Sequence, residues 1–311
     1  MASTNHLSDP VTFGEDLASN LQRVLEIAPR HCRDCADYHI RCVAHRATGE
    51  RFGIDSDRPE LVALLKGLVG RRLAEQPGRL DIVIAGSADT GVLATVAHAV
   101  SLLGDEALAR CRFTVLDLCP TPLLLCRHFA AEHGLDFASA AVDLTALGER
   151  FPADILVMHS VFRFIDSSLQ PAVLKELGSW LKPGGAMVFS NRIKTRTSQE
   201  TRADIAKRGA ANALFGAMAE RGEIKVAVDP GAVMKRLERA LHDDESRVGE
   251  FRTADELKGL LAGGPLPLTH FEEIVCEIGG GDRPRYRRKR VLAVLAAPGE
   301  QSPEQRLAAP S

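Results

Sequence analysis

Three short apolar runs, each closing on a polar residue, are separated by stretches of helical periodicity, and a Pro-Gly-Gly turn then leads into a fourth. The first run, Asp81-Ile82-Val83-Ile84-Ala85, ends in the turn Gly86-Ser87-Ala88-Asp89-Thr90-Gly91 and is followed by an apolar-periodic helix over 92–103. The second, Phe113-Thr114-Val115-Leu116, closes on Asp117 before a helix over 121–134, in which Pro122 is tolerated in the first turn. The third, Asp154-Ile155-Leu156-Val157-Met158, stops at His159-Ser160; a helix over 170–181 then reaches Lys182-Pro183-Gly184-Gly185 and a strand over 186–190 that delivers Asn191 and Arg192.

Strands that are apolar throughout, rather than alternating, and that are separated by helices predict a parallel sheet covered on both faces. Ligands of such sheets bind beyond the carboxyl ends of the strands, where strand order reverses. The polar residues that close the runs all fall at those ends.

With Ala141-Val142-Asp143-Leu144 and Leu181-Lys182-Pro183-Gly184-Gly185-Ala186-Met187-Val188, these segments give the chain a resemblance to the class I, Rossmann-like methyltransferases that use S-adenosylmethionine. The match is good over about 80–192 and extends to 251–297. It implies a doubly wound, mostly parallel seven-stranded α/β sheet. An N-terminal helical cap (1–78) would precede a donor-binding domain (79–298) with a helical insertion at about 194–261, and a disordered tail (299–311) would follow. By the same resemblance Gly86, Ser87, Asp89 and Gly91 line the methionine part of the donor, Asp117 with Leu118 takes the ribose, and Asp143 with Leu144 takes the adenine. His159 and Ser160 border the transferred methyl group, and S-adenosylhomocysteine is the product.

The glycine turn departs from the family pattern: Ala85 stands where an acidic residue is usual, and Ala88 where a glycine is. Asp89 either supplies the missing carboxylate to the methionine amino group or caps the helix that starts near Thr90. A nicotinamide or flavin dinucleotide is disfavoured, because its fingerprint needs the second glycine for close pyrophosphate approach.

Methyl transfer from a sulfonium needs alignment, desolvation and, for a protonated acceptor, a base. His159 is the candidate base, with an ordinary pKa near 6.5; packing against the donor is the alternative. Asn191 and Arg192 at the next strand end, and Tyr38 and His39 from the cap, are the candidate substrate-binding residues, with Arg163 a structural partner for Asp166. In place of the Asn-Pro-Pro-Tyr type of signature stands Met158-His159-Ser160-Val161-Phe162, so amine- or hydroxyl-bearing metabolites are the expected acceptors. Intramolecular cyclisation that releases methylthioadenosine, and a non-catalytic donor-binding module, are the alternatives.

The chain of 311 residues is 45% hydrophobic, ample for a buried core, and its net charge of −2 offers no general attraction to nucleic acid. Two Tyr and one Trp give no stacking surface for bases. No apolar run reaches membrane-spanning length and no leader is evident, so a cytoplasmic protein without a membrane partner is expected. Its seven cysteines are expected as reduced thiols.

Outside the core motifs, three N-terminal helices are predicted over 14–28, 31–47 and 58–75, the last started by Asp57. The apolar face of 13–27 is a candidate for pairing subunits into a homodimer. Cys32, Cys35, His39 and Cys42 carry zinc-ligand chemistry, yet their spacing places all four on one face of a predicted helix, where a packed seam accounts for them, and no metal is expected. A basic run, Arg283, Arg285, Arg287, Arg288, Lys289 and Arg290, joins the last two strands; it reads as a solvated hairpin loop or as a surface for an acidic substrate or partner.

Overall fold

The computed structural model describes residues 16–32, 35–47, 57–146, 148–194, 198–223, 229–239, 248–278 and 286–299. Helices α1 (Leu17–His31), α2 (Ala36–Ala47) and α3 (Arg58–Glu75) lead into β1 (Leu80–Ala85) and α4 (Gly91–Ser101), with a short α5 (Asp105–Ala109). Then come β2 (Cys111–Asp117), α6 (Pro120–Glu132), β3 (Asp136–Ala141), β4 (Ala153–His159), a 3-10 turn (Phe162–Phe164), α7 (Gln170–Gly178) and β5 (Leu181–Ile193). The remainder is α8 (Ser198–Glu220), α9 (Pro230–Arg239), α10 (Ala254–Ala262), β6 (Leu268–Ile278) and β7 (Tyr286–Ala296).

The seven strands form one sheet in the order β3-β2-β1-β4-β5-β7-β6. β1 to β5 are mutually parallel, whereas β7 runs antiparallel between β5 and β6. Strand order therefore reverses between β1 and β4, where the Gly86 and Ser160 turns meet. The continuous apolar runs are explained by burial on both faces. Leu61, Leu65, Leu93, Val96 and Phe129 of α3, α4 and α6 cover Ile82, Ile84, Phe113 and Val188. Leu174, Leu177, Leu257 and Leu261 of α7 and α10 cover Val83, Leu156, Met158 and Phe189. Each such side chain contributes about 1.5–3 kcal/mol when fully buried.

A third apolar cluster sits outside the sheet. Leu21, Val24, Leu25 and Ala28 of α1 pack with Ile40, Val43 and Ala44 of α2, Leu125 of α6, Phe215 and Met218 of α8, and Val233 and Leu237 of α9. The face of α1 expected to pair subunits is thus buried within the chain, chiefly against α2 and α6. None of the described helices is long and apolar enough to cross a membrane.

Three boundaries differ from the sequence reading. The second predicted helix does not begin at His31: α1 carries on to His31 and α2 begins at Ala36, so Cys32 and Cys35 lie in the link between them. The Pro183-Gly184-Gly185 turn is absorbed into β5, with Gly184 at φ +71° and a register shift opposite Ala153 and Ile155. The basic run continues into β7, and Arg290 is buried rather than solvated. Arg283 and Arg285 lie outside the described residues, as do 300–311 of the expected tail and 14–15 of the first predicted helix.

Candidate active site

Gly86 ends β1 at φ +83°, a left-handed conformation, and a Cβ there would overlap the Val161 side chain. Only glycine lets the β1 and β4 turns approach so closely. The backbone N–H of Ser87 donates to Asp117 Oδ2 (2.8 Å) and that of Cys119 to Oδ1 (2.7 Å). Burial raises the Asp117 pKa, and these two bonds act against it. Each oxygen keeps acceptor capacity for a hydroxyl. Asp143, beyond β3, is exposed and accepts from Thr145 N (2.8 Å) and Oγ1 (2.7 Å), which lower its pKa; Leu144 beside it is buried, whereas Leu118 is exposed.

Asp89 is committed twice. Its Oδ1 accepts from Gly91 N (2.7 Å) at the start of α4, and its Oδ2 lies 3.0 Å from Nε of Arg46, which α2 extends over Gly91. Oδ1 thus binds the first N–H of α4, whose N-cap is Thr90, and the charge faces a guanidinium from the cap.

Beyond β4 and β5 lies a buried charged network that joins four elements. Asp57, which precedes α3, makes no capping hydrogen bond; it accepts from Ser190 Oγ, and its Oδ2 lies 2.8 Å from Arg290 Nε. The Arg290 guanidinium beside Asp57 holds its carboxyl well below the usual range against the opposing effect of burial. Arg290 Nη2 reaches Ser160 Oγ and Ser190 Oγ at 2.8 Å each, and His159 Nε2 at 3.1 Å. That nitrogen has two hydrogens, which the two shorter contacts use. Nε2 of His159 therefore carries its own hydrogen toward Asp57 Oδ1 (3.4 Å), and the Nδ1 lone pair is left for a ligand. Burial pushes the His159 pKa down, so the ring is neutral at pH 7. Ser160 takes φ +60°, strain of the kind that gathers at functional sites.

Asn191 is buried, with Nδ2 on Arg192 O (3.1 Å) and Oδ1 without a hydrogen-bond partner among the described residues. Tyr38 stacks edge-on to Phe164 at 5.7 Å, and burial raises its pKa well above normal. Arg163 faces Glu250 at 3.9 Å, whereas the Asp166 carboxylate turns back on Ser168, so the expected Arg163–Asp166 pair is not made. His39 turns away from this end: its Nδ1 donates to Ala88 O (2.6 Å) and the ring meets Cys32, Cys35 and Cys119. The Cys35 thiol, donating to Cys119 Sγ at 3.5 Å, holds Cys119 down to about 3.

Asp57, Arg290, Arg46 and Cys119 escaped the sequence reading. Asp57 was legible as a helix start and Arg290 as one cation among six; nothing local showed that they would meet.

A doubly wound dinucleotide-binding sheet of order 3-2-1-4-5-6 runs parallel to its last strand, whereas here the final strand turns back between β5 and β6. The chain has the class I methyltransferase fold. No protein-family model and no curated protein matches it. Among solved structures it resembles an O-methyltransferase family protein from Burkholderia thailandensis (14% identity, 92% of this chain and 69% of that one, TM-score 0.47). It also resembles the N-methyltransferase NodS from Bradyrhizobium japonicum (15%, 77% and 96%, TM-score 0.38). A third similar structure is described as "Conversion of a Disulfide Bond into a Thioacetal Group during Echinomycin Biosynthesis" (20%, 78% and 84%, TM-score 0.45). The likenesses are distant, and the assignment of a methyltransferase fold rests on the strand order and direction.

Proposed function

We propose that this chain transfers the methyl group of S-adenosylmethionine to an amine or hydroxyl of a small-molecule metabolite. The observation that carries the reading is the Asp117 carboxylate, fixed by the Ser87 and Cys119 N–H groups at the end of β2, beside a Gly86 that no other residue can replace. A carboxylate so held, with lone pairs remaining, fits a ribose diol. Asp143 and Leu144 would hold the adenine, one by accepting an amino hydrogen and the other by packing. At the methionine end, Arg46 would bind the carboxylate and Asp89 would keep Arg46 in place.

When bound, the donor supplies an already activated methyl group. Asp57 would fix the imidazole of His159, whose neutral Nδ1 takes the proton from the acceptor hydroxyl or amine as the new bond forms. Tyr38, Asn191 and Arg192 orient the acceptor; the buried, unpartnered Asn191 Oδ1 suits a donor hydrogen on it.

Calorimetry with S-adenosylhomocysteine tests the donor site: the chain should bind it, and Asp117→Ala should abolish binding. Incubation of cell extract with methyl-labelled donor then tests the reaction. Label transferred to a metabolite with S-adenosylhomocysteine left behind is expected. Methylthioadenosine as the product, or binding without turnover, refutes methyl transfer.

A further inference from the structure

We propose that Cys32, Cys35, His39 and Cys119 form a tetrahedral site for a structural zinc ion, which fastens the helical cap to the donor end of the sheet. The four ligand atoms lie within 4.8 Å of one another. Cys119 Sγ stands 3.4 Å from Cys32 Sγ and 3.5 Å from Cys35 Sγ. Zinc bonds to sulfur at about 2.3 Å, which sets the edge of a tetrahedron of thiolates at about 3.8 Å. Those two separations fall a few tenths of an ångström short of that edge, and none of the others exceeds it by more than about 1 Å.

The donor set is drawn from three places, as a stable site requires. Cys32 and Cys35 come from the α1–α2 link, His39 from the start of α2, and Cys119 from the turn between β2 and α6. Cys42, the fourth member of the sequence pattern, is not among them; its charged surroundings are Arg41, Asp89 and Arg163. The one-face helix that argued for a packed seam is not formed, because α1 ends at His31 and α2 begins at Ala36. Cys111, Cys126 and Cys276 are buried in the cores as packing residues, while Cys32, Cys35 and Cys119 are half-buried and meet one another.

The surroundings match a metal site as well. Ala88 O can only accept, so His39 Nδ1 carries the hydrogen and Nε2 is the free lone pair, the arrangement by which ligating histidines are usually fixed. Thr121 Oγ1 lies 2.9 Å from Cys32 Sγ, placed to donate to a thiolate. Cys119 is the N-cap residue of α6, at φ −91° and ψ 131°, where the helix terminus favours a negative sulfur.

The site joins the cap to the turn between β2 and α6. Cys119 also donates its N–H to Asp117, and His39 holds the carbonyl of Ala88 in the glycine turn. A zinc ion here would fix both walls of the donor crevice at once. The inference does not depend on the reaction catalysed.

Metal analysis of the full chain, purified under reducing conditions, tests it. About one zinc per chain is expected, lost in Cys35→Ser and Cys119→Ser and retained in Cys42→Ser. Chelation should lower the melting temperature by about 5 °C or more. Should the serine variants fail to fold, cobalt exchanged into the unaltered chain should give the visible bands of a tetrahedral ion and thiolate charge transfer. A reduced chain that neither contains zinc nor takes it up on titration overturns the proposal. So does zinc that survives Cys119→Ser, an octahedral cobalt spectrum, or a native disulfide among the three cysteines.

Discussion

Two polar clusters stand at the carboxyl edge of the sheet, one over β2 and one over β4 and β5, and they solve burial in opposite ways. The Asp57–Arg290–His159 network balances a carboxylate against a guanidinium and fills its remaining sites with serine hydroxyls. Its charge is balanced by protein groups. The Cys32–Cys35–His39–Cys119 cluster gathers three sulfurs and an imidazole, all of them metal-ligand types. One is a closed electrostatic unit; the other is a set of lone pairs awaiting an acid.

The contrast breaks most visibly if the closed network is opened. Arg290→Met leaves Asp57 charged, buried and unpaired, and should cost about 3–5 kcal/mol in urea unfolding. Asp57→Leu combined with Arg290→Met should recover most of it, since a hydrophobic pair of similar volume is often as stable. A loss below about 1 kcal/mol in the single variant would mean that water reaches the network.

If the network serves the reaction, His159→Gln should lower kcat by about 10²–10³-fold with donor affinity unchanged. A fall in affinity without loss of kcat would make His159 a packing residue. Because burial depresses its pKa, His159 stays neutral at and above about pH 6.5, and kcat/KM should decline only below that.

Asp117→Asn keeps the shape but removes the charge, and turns an amide N–H toward the N–H of Ser87 or Cys119. The affinity for S-adenosylhomocysteine should fall about 10–100-fold, the equivalent of about 1.5–3 kcal/mol.

A further effect concerns the joint between cap and insertion. His45 of α2 donates Nε2–H to Asn212 Oδ1 of α8 (2.9 Å), and burial pushes its pKa down to about 4. The unfolded chain binds the proton near pH 6.5 and the native chain only near 4, so this contribution is complete above 6.5 and is lost as pH falls toward 4. Melting temperature should decline across that window, and less steeply in His45→Gln.

The sequence made the sheet legible because its central parallel strands are buried on both faces and so stay apolar; β1 and β4 show it best. Asp117 and Gly86 were legible for the same reason, being the first polar or flexible residues after such runs. What stayed hidden was pairing over long separations. Nothing near Arg290 distinguishes it from Arg288, and only the antiparallel register that sets Leu292 opposite Ser190 and Arg290 opposite Arg192 brings it to Asp57. Cys119 was hidden likewise, because a half-buried cysteine after a strand has no local signature. Cys42 took its place in the sequence pattern through helical spacing that the break at Cys32 and Cys35 abolishes.

Arg290 belongs to the last strand, and this imposes an order on assembly. Asp57 is translated long before Arg290, its counter-charge. Until β7 slots in beside β5, the nascent polypeptide holds a carboxylate it has reason to keep in water. The seating of Asp57 ahead of α3 is therefore keyed to the pairing of β7 with β5.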